Sequence, residues 1–379
     1  MPLTAMGKKI FIVYLFLFIF HYFYVNASDG DDEKSTTREW QIGGSIHRGT
    51  TLVHSSLLAP IIEGPASGGE LFFSKQTNGI HQWNAFYKYP EYGVCYSFFD
   101  LGCPTYVGTV HSLYPYLNFH FLNNGSRMNL HLRTGAGFAT IEKIYNADTN
   151  PLNYAFSTHL NIVLSARLQG VYKINDAWSL FAGAGITHLS NGALRMPNLG
   201  LNTVSLFTGI SRSFGEKIPY KTPDNKTNEK NKNWDCSVFL LGGIKEINPI
   251  GGKTYLAGDF NVEVTKKHLQ YTRFGVSLDI TYDESEYDCI VFQALPPVDR
   301  LKTTRIGLSG GYVWLFGDFS IDLFWGIYLH EPNPLYGKVY QRTSLRYSLT
   351  DRLQLSVAFR NHKGKADFIG VGFGYRLTK

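Results

Sequence analysis

The chain has 379 residues, 44% hydrophobic and 17% charged, enough for one large β domain or two small ones. Its formal charge of +6 is too weak a bias to argue for a nucleic-acid partner, and none is expected.

Lys8 and Lys9 precede an apolar run from Ile10 to Val25, and the small residue Ala27 follows it. This order reads as a secretory signal peptide over residues 1–27, with cleavage expected after Ala27. The run is short for a full membrane anchor. Its removal takes away two positive charges and no negative one. The exported part keeps Cys95, Cys103, Cys236 and Cys289 in a compartment where disulfides are permitted. Three pairings are possible, and closeness in sequence favours Cys95 with Cys103. No C-x-x-C pair occurs, so zinc binding is not expected.

No later stretch is apolar for long enough to cross a bilayer as a helix, which leaves a closed β-barrel as the fold that pairs every backbone group internally. The 38 glycines and 15% aromatic content suit tight turns and interfacial aromatic girdles. Strands follow from alternation. Within residues 160–173, Leu160, Ile162, Leu164, Ala166, Leu168 and Tyr172 alternate with His159, Asn161, Ser165, Arg167, Gln169 and Lys173. Residues 319–327 alternate in the same way, with Phe319, Ile321, Leu323, Trp325 and Ile327 on one face. Residues 353–360 do so again, with Leu353, Leu355, Val357 and Phe359 facing away from Gln354, Ser356 and Arg360.

Further strands are expected near 40–48, 70–76, 81–88, 92–101, 105–122, 126–144, 178–190, 202–214, 234–248, 254–267, 271–284, 303–316, 336–350 and 365–377. A soluble β-sandwich alternates too, but strands of ten residues or more exceed the roughly five or six of globular sheets and match a tilted bilayer crossing. The expected fold is therefore an all-β, antiparallel transmembrane barrel of about fourteen strands, with twelve as the alternative. Residues 28–215 form its first part, the lysine- and asparagine-rich residues 216–233 a polar loop or linker, and residues 234–379 additional barrel strands.

Chemistry concentrates in residues 186–202, ITHLSNGALRMPNLGLN. Residues two apart on a strand share a face, so His188 and Ser190 point the same way and are placed to act as base and nucleophile. Trp178, Leu180, Ala182, Ala184 and Ile186 occupy that same face, which makes it the lipid side. The short connection Asn175-Asp176-Ala177 suits a periplasmic turn and puts the 191–201 loop at the extracellular end. Asn202 returns on the next strand beside His188. Asn191 and Asn198 are candidate oxyanion or substrate-binding donors, with turn formation as the alternative role. His131 and His159 fall on lumen faces, where no function is required of them.

The pattern His188-Leu189-Ser190-Asn191 followed by Pro197-Asn198-Leu199-Gly200 resembles the lipid A 3-O-deacylase family and its acyloxyacyl-hydrolase-like relatives. The likeness is sharp over residues 186–202 and extends in strand order over roughly residues 40–215. It implies an outer-membrane barrel of a Gram-negative bacterium that uses a Ser-His-Glu triad on lipid A or another outer-leaflet lipid, with no cofactor. Asn202 stands where that family carries its Glu, so the sequence departs from the pattern at the acid; Asp148 in the neighbouring outer loop is the nearest candidate for a substitute acid. The function expected is a serine esterase with Ser190, His188 and Asn202 as its catalytic set. The alternatives are a non-catalytic barrel, either a pore or a degenerate deacylase, and a phospholipase.

Overall fold

The computed structural model describes residues 36–122, 126–221, 233–292, 303–333 and 337–378. The expected signal peptide and most of the polar 216–233 segment lie outside these residues. Sixteen strands are present among them, all antiparallel, and they close into two separate eight-stranded barrels.

The first barrel comprises β1 (Thr36–Leu52), β2 (Ala66–Gln76), β3 (Glu91–Asp100), β4 (Thr109–His120), β5 (Met128–Ile141), β6 (Leu160–Lys173), β7 (Trp178–Ser190) and β8 (Leu201–Pro219). Each strand pairs with its neighbours in sequence, and β1 returns onto β8 from Thr36↔Pro219 to Leu52↔Asn202. The second barrel comprises β9 (Trp234–Glu246), β10 (Thr254–Leu269), β11 (Thr272–Asp283), β12 (Arg305–Phe316), β13 (Phe319–His330), β14 (Val339–Ser348), β15 (Leu353–His362) and β16 (Lys365–Arg376). There β16 closes onto β9.

The expectation of one barrel of about fourteen strands is thus corrected to two barrels of eight. Alternation identifies strands but carries no information on where a sheet closes. Closure is decided by pairing of strands far apart in sequence. β8 also runs four residues into the segment read as a loop, through Pro219. A second correction concerns residues 81–88, expected as a strand. Gln82–Phe86 is instead a short helix, entered with the backbone N–H of His81 donating to Asn84 Oδ1 at 3.2 Å. The third concerns Cys95 and Cys103, which are free thiols, as are Cys236 and Cys289. Cys95 sits mid-strand on β3, whereas Cys103 lies beyond its end; at about 3.3 Å per residue the strand holds them too far apart to bridge. Burial in the loop raises the Cys103 thiol to about 12.

Both barrels are polar inside and apolar outside, the inverse of a soluble sheet protein. On β6, Asn161, Ser165, Arg167 and Gln169 are buried and Leu160, Leu164 and Leu168 exposed. Outward residues such as Ile46 (71% exposed), Leu206 (69%) and, in the second barrel, Leu240 (68%) form an apolar surface of the kind a bilayer covers.

Eight strands enclose an interior just wide enough for side chains to fill, and ion pairs fill it here. In the first barrel Glu70 accepts from Arg133 and from Arg167 Nη2 at 2.8 Å, with the Tyr114 hydroxyl donating to it at 2.9 Å. In the second, Glu263 accepts from Arg342 and Arg346 at 2.7 and 2.6 Å, Asp259 pairs with Arg360 at 3.0 Å, and Asp367 pairs with Arg305 at 2.9 Å and with Lys245.

Removing one member of such a cluster leaves the others buried and uncompensated. Glu70→Gln is therefore expected to destabilise the first barrel by about 3–5 kcal/mol, through the unpaired charge on Arg133 and Arg167. The shift in urea midpoint of the folded, heat-modifiable form measures it.

Candidate active site

Four loops of the first barrel, residues 53–65, 101–108, 142–159 and 191–200, gather at one end; the connection 77–90, the four-residue turn 174–177 and both ends of the barrel's chain lie at the other. The loop end is tied together by polar contacts. Glu142 accepts from the Thr109 backbone N–H (2.7 Å) and hydroxyl (2.8 Å), and Glu63 accepts from Thr105 N–H at 2.9 Å. These bonds hold the Glu142 carboxyl below its ordinary value, the backbone contribution leading, and those from Thr105 do the same for Glu63. The Asn153 amide, fully buried, donates to the carbonyls of Tyr106 (2.9 Å) and Lys143 (3.1 Å).

The loop between β7 and β8 docks on that platform. Leu199 N–H donates to Tyr154 O at 3.0 Å and Gly200 N–H to Ala155 O at 3.1 Å. A ring nitrogen of His54, a residue that sequence reasoning passed over, meets the Leu199 carbonyl at 3.1 Å. Leu189 and Leu201 are buried in the apolar cluster beneath the loops. Alternation around them turns His188, Ser190 and Asn202 outward.

These three side chains form one hydrogen-bonded row. His188 Nε2 lies 3.0 Å from Ser190 Oγ, and His188 Nδ1 lies 2.9 Å from Asn202 Oδ1. The register gives the row its geometry: His188 and Asn202 are direct partners across β7 and β8, and Ser190 is one same-face step further along β7. All three are half-buried. With Oδ1 toward the ring, Nδ1 carries the proton and Nε2 keeps the lone pair that a hydroxyl donor needs. Asn202 fills the side of the ring where an acid would sit. Asp148 stays exposed on its own loop, its backbone N–H donating to Asn146 Oδ1 at 2.9 Å.

The two loop asparagines differ. Asn191 is buried and its Nδ2 donates to Ser157 Oγ at 3.2 Å, so its amide braces the loop. Asn198 Oδ1 accepts from Asn191 N–H at 3.0 Å, which orients the amide and leaves its two N–H donors for another acceptor. Gly200 completes the site. Its φ is +65°, and a β-carbon there would stand 2.6 Å from Leu189 O, 3.1 Å from Ser190 Cβ and 3.3 Å from His188 Cε1. The Pro-Asn-x-Gly spacing is the sequence sign of this close approach.

With this geometry, two matches to known families become informative. Residues 67–211 match the family described as lipid A 3-O-deacylase (PagL), and residues 233–379 match that described as acyloxyacyl hydrolase, C-terminal domain. The two matches carry different descriptions and each covers a little under two-fifths of the chain. Each match falls within one barrel, the deacylase family in the first and the acyloxyacyl hydrolase C-terminal domain in the second. A comparison with curated proteins finds no match. Among solved structures, the chain is similar to the outer-membrane enzyme PagL, at 17% identity and a TM-score of 0.29, over 44% of this chain and 97% of that one. It is similar also to Neisserial surface protein A (NspA), at 13% identity and a TM-score of 0.30, over 46% of this chain and 97% of that one.

Gly200→Ala tests the role of the close approach. The positive φ disfavours any side chain, and the new methyl displaces the loop from His188 and Ser190. Deacylase activity is expected to fall at least tenfold while heat-modifiable migration of the barrel is retained.

Proposed function

We propose that the lipid A deacylation characteristic of this family is carried out here by Ser190, with His188 as general base and acid and Asn202 as the group that orients His188. The observation that carries the reading is the continuous row Ser190 Oγ, His188 Nε2, His188 Nδ1, Asn202 Oδ1, with both contacts at hydrogen-bond length, on the apolar outer face of the barrel. A lipid ester reaches that face without leaving the membrane. Ser190 Oγ attacks the ester carbonyl as its proton passes to His188 Nε2; the tetrahedral intermediate collapses, and the same proton goes to the departing alcohol. Water then repeats the sequence on the acyl-enzyme and releases a fatty acid. The Asn198 N–H groups are the side-chain donors for the developing oxyanion. No cofactor enters these steps.

The substrate is lipid A or another outer-leaflet lipid, and the location is the outer membrane of a Gram-negative bacterium. The four-residue turn 174–177 that precedes β7, opposite the loop that follows Ser190, supports a site at the outer leaflet. Side chains filling the barrel interior support an enzyme over a pore.

Asn202 favours a second reading, that of a slow or degenerate member. A carboxylate both orients the imidazole and stabilises the imidazolium, whereas an amide can orient alone, and in a serine-protease triad the Asp-to-Asn change lowers turnover about 10⁴-fold. Asn202→Glu is accordingly expected to raise turnover, by up to about 10⁴-fold. Ser190→Ala and His188→Ala are each expected to reduce it to background without unfolding the barrel. Release of fatty acid from purified lipid A in detergent, at equal folded concentration, separates the outcomes. Equal release from wild type and Ser190→Ala overturns the assignment. Release from Asn202→Glu with none from wild type marks the natural protein as degenerate.

A further inference from the structure

The other end of the first barrel holds a group that deacylation does not use. Glu91 opens β3, His120 closes β4 and His131 lies near the start of β5; pairing puts Glu91 opposite Asn118 and His120 opposite His131. All four side chains point into the barrel and are buried. His120 Nε2 is 3.4 Å from Glu91 Oε1, and the two imidazole rings stack with centroids 4.2 Å apart. Asn118 Nδ2 donates at 3.1 Å both to Glu91 Oε2 and to His131 Nδ1, which fixes carboxylate and imidazole relative to each other. One ligand atom from each of Glu91, His120 and His131 falls within 4.8 Å of the other two.

The charge balance differs from that around Glu70. Glu70 has two guanidinium groups, Arg133 and Arg167, at ion-pair distance. Glu91 has His120, an imidazole stacked on a second imidazole, at 3.4 Å, and the charge of Lys173 also acts on it. Protonating both rings would set two positive charges face to face. A divalent cation between the three groups neutralises Glu91 while both imidazoles stay neutral, His131 turning to the cation the Nδ1 lone pair that otherwise accepts from Asn118.

We propose that Glu91, His120 and His131 bind one zinc ion, or a late first-row ion of the same preference, as a structural clasp joining β3, β4 and β5. Two nitrogens and one carboxylate oxygen form a donor set that zinc accepts and that magnesium and calcium, which prefer all-oxygen sites, do not. Tetrahedral zinc with bonds of about 2.0–2.2 Å sets its donors about 3.4 Å apart, the present spacing of His120 Nε2 and Glu91 Oε1. A small cavity bordered by Glu91, Asn118, His131, Gln169 and Ser211, with the Arg133 guanidinium also on its wall, adjoins the group and gives a water molecule room as fourth ligand. Asn118 keeps its bond to Glu91 Oε2 and orients that carboxylate, as outer partners do in metal sites.

Chelator-treated full-length protein in detergent is loaded with zinc, passed through gel filtration and assayed for retained metal. One zinc per chain is expected, unaffected by excess magnesium, and cobalt in its place is expected to give the intense visible absorption of a four-coordinate ion. Glu91→Gln and the double variant His120→Asn/His131→Asn are each expected to weaken retention at least tenfold, with fatty-acid release unchanged because Ser190 lies at the opposite end of the barrel. Where a variant does not fold, the cobalt spectrum of the wild type decides. No retained zinc, equal retention in wild type and folded variants, or a cobalt spectrum of the hydrated ion overturns the proposal.

Discussion

Closure of β1 onto β8 leaves the first sheet without an edge and gives every strand two faces with opposite solvents. One face meets the lipid and the other a narrow interior, and the two-residue period of the strand assigns each side chain to one or the other. The rest of the barrel follows from that assignment. Ionisable groups turned inward must find partners, as Glu70 does with Arg133 and Arg167. Apolar groups turned outward can remain unpacked. Polar groups turned outward, His188, Ser190 and Asn202, need a reason to be there, and the hydrogen bonds among them together with the lipid-facing position supply one.

The same constraint explains how a site with catalytic geometry forms on a smooth barrel wall. His188 and Ser190 are set by one strand's own periodicity, so their spacing is a property of β7 and survives small movements of the loops. Asn202 depends on the register of β7 with β8, fixed by a buried leucine on each strand, Leu189 and Leu201. The loop contributions are less intrinsic: Asn198 and Gly200 reach the row because residues 154 and 155 accept the backbone N–H groups of Leu199 and Gly200. A substitution in residues 142–159 can therefore change activity without touching Ser190.

Strand positions, the lipid-facing side and the His188, Ser190 and Asn202 row were legible in the sequence because each depends on local alternation or on a short hairpin. What depends on distant pairing was not. Seventeen segments read as strands gave no sign that the sheet closes twice, and residues 81–88 lack the long-range partner that would make them a strand. Cys95 and Cys103 are close in sequence but separated by half the length of β3. Asn191 and Asn198 are equivalent in composition, and contact with Ser157 distinguishes them. The Glu91, His120 and His131 cluster comes from three strands with no linear motif, so His131 read as an ordinary lumen residue until its neighbours were known.

The second barrel matches its own family domain and buries a larger set of ion pairs, among them Arg305 with Asp283 and Asp367. In the loop between β11 and β12, burial raises the Glu286 carboxyl to about 7 despite the opposing charge of Arg305. The central claim, however, rests on the first barrel, and lipid A itself tests it most directly. Mass spectrometry of lipid A from outer membranes carrying the wild-type chain should show a species lighter by one acyl chain, absent from membranes carrying Ser190→Ala at the same level. An identical lipid A profile in the two would contradict the account.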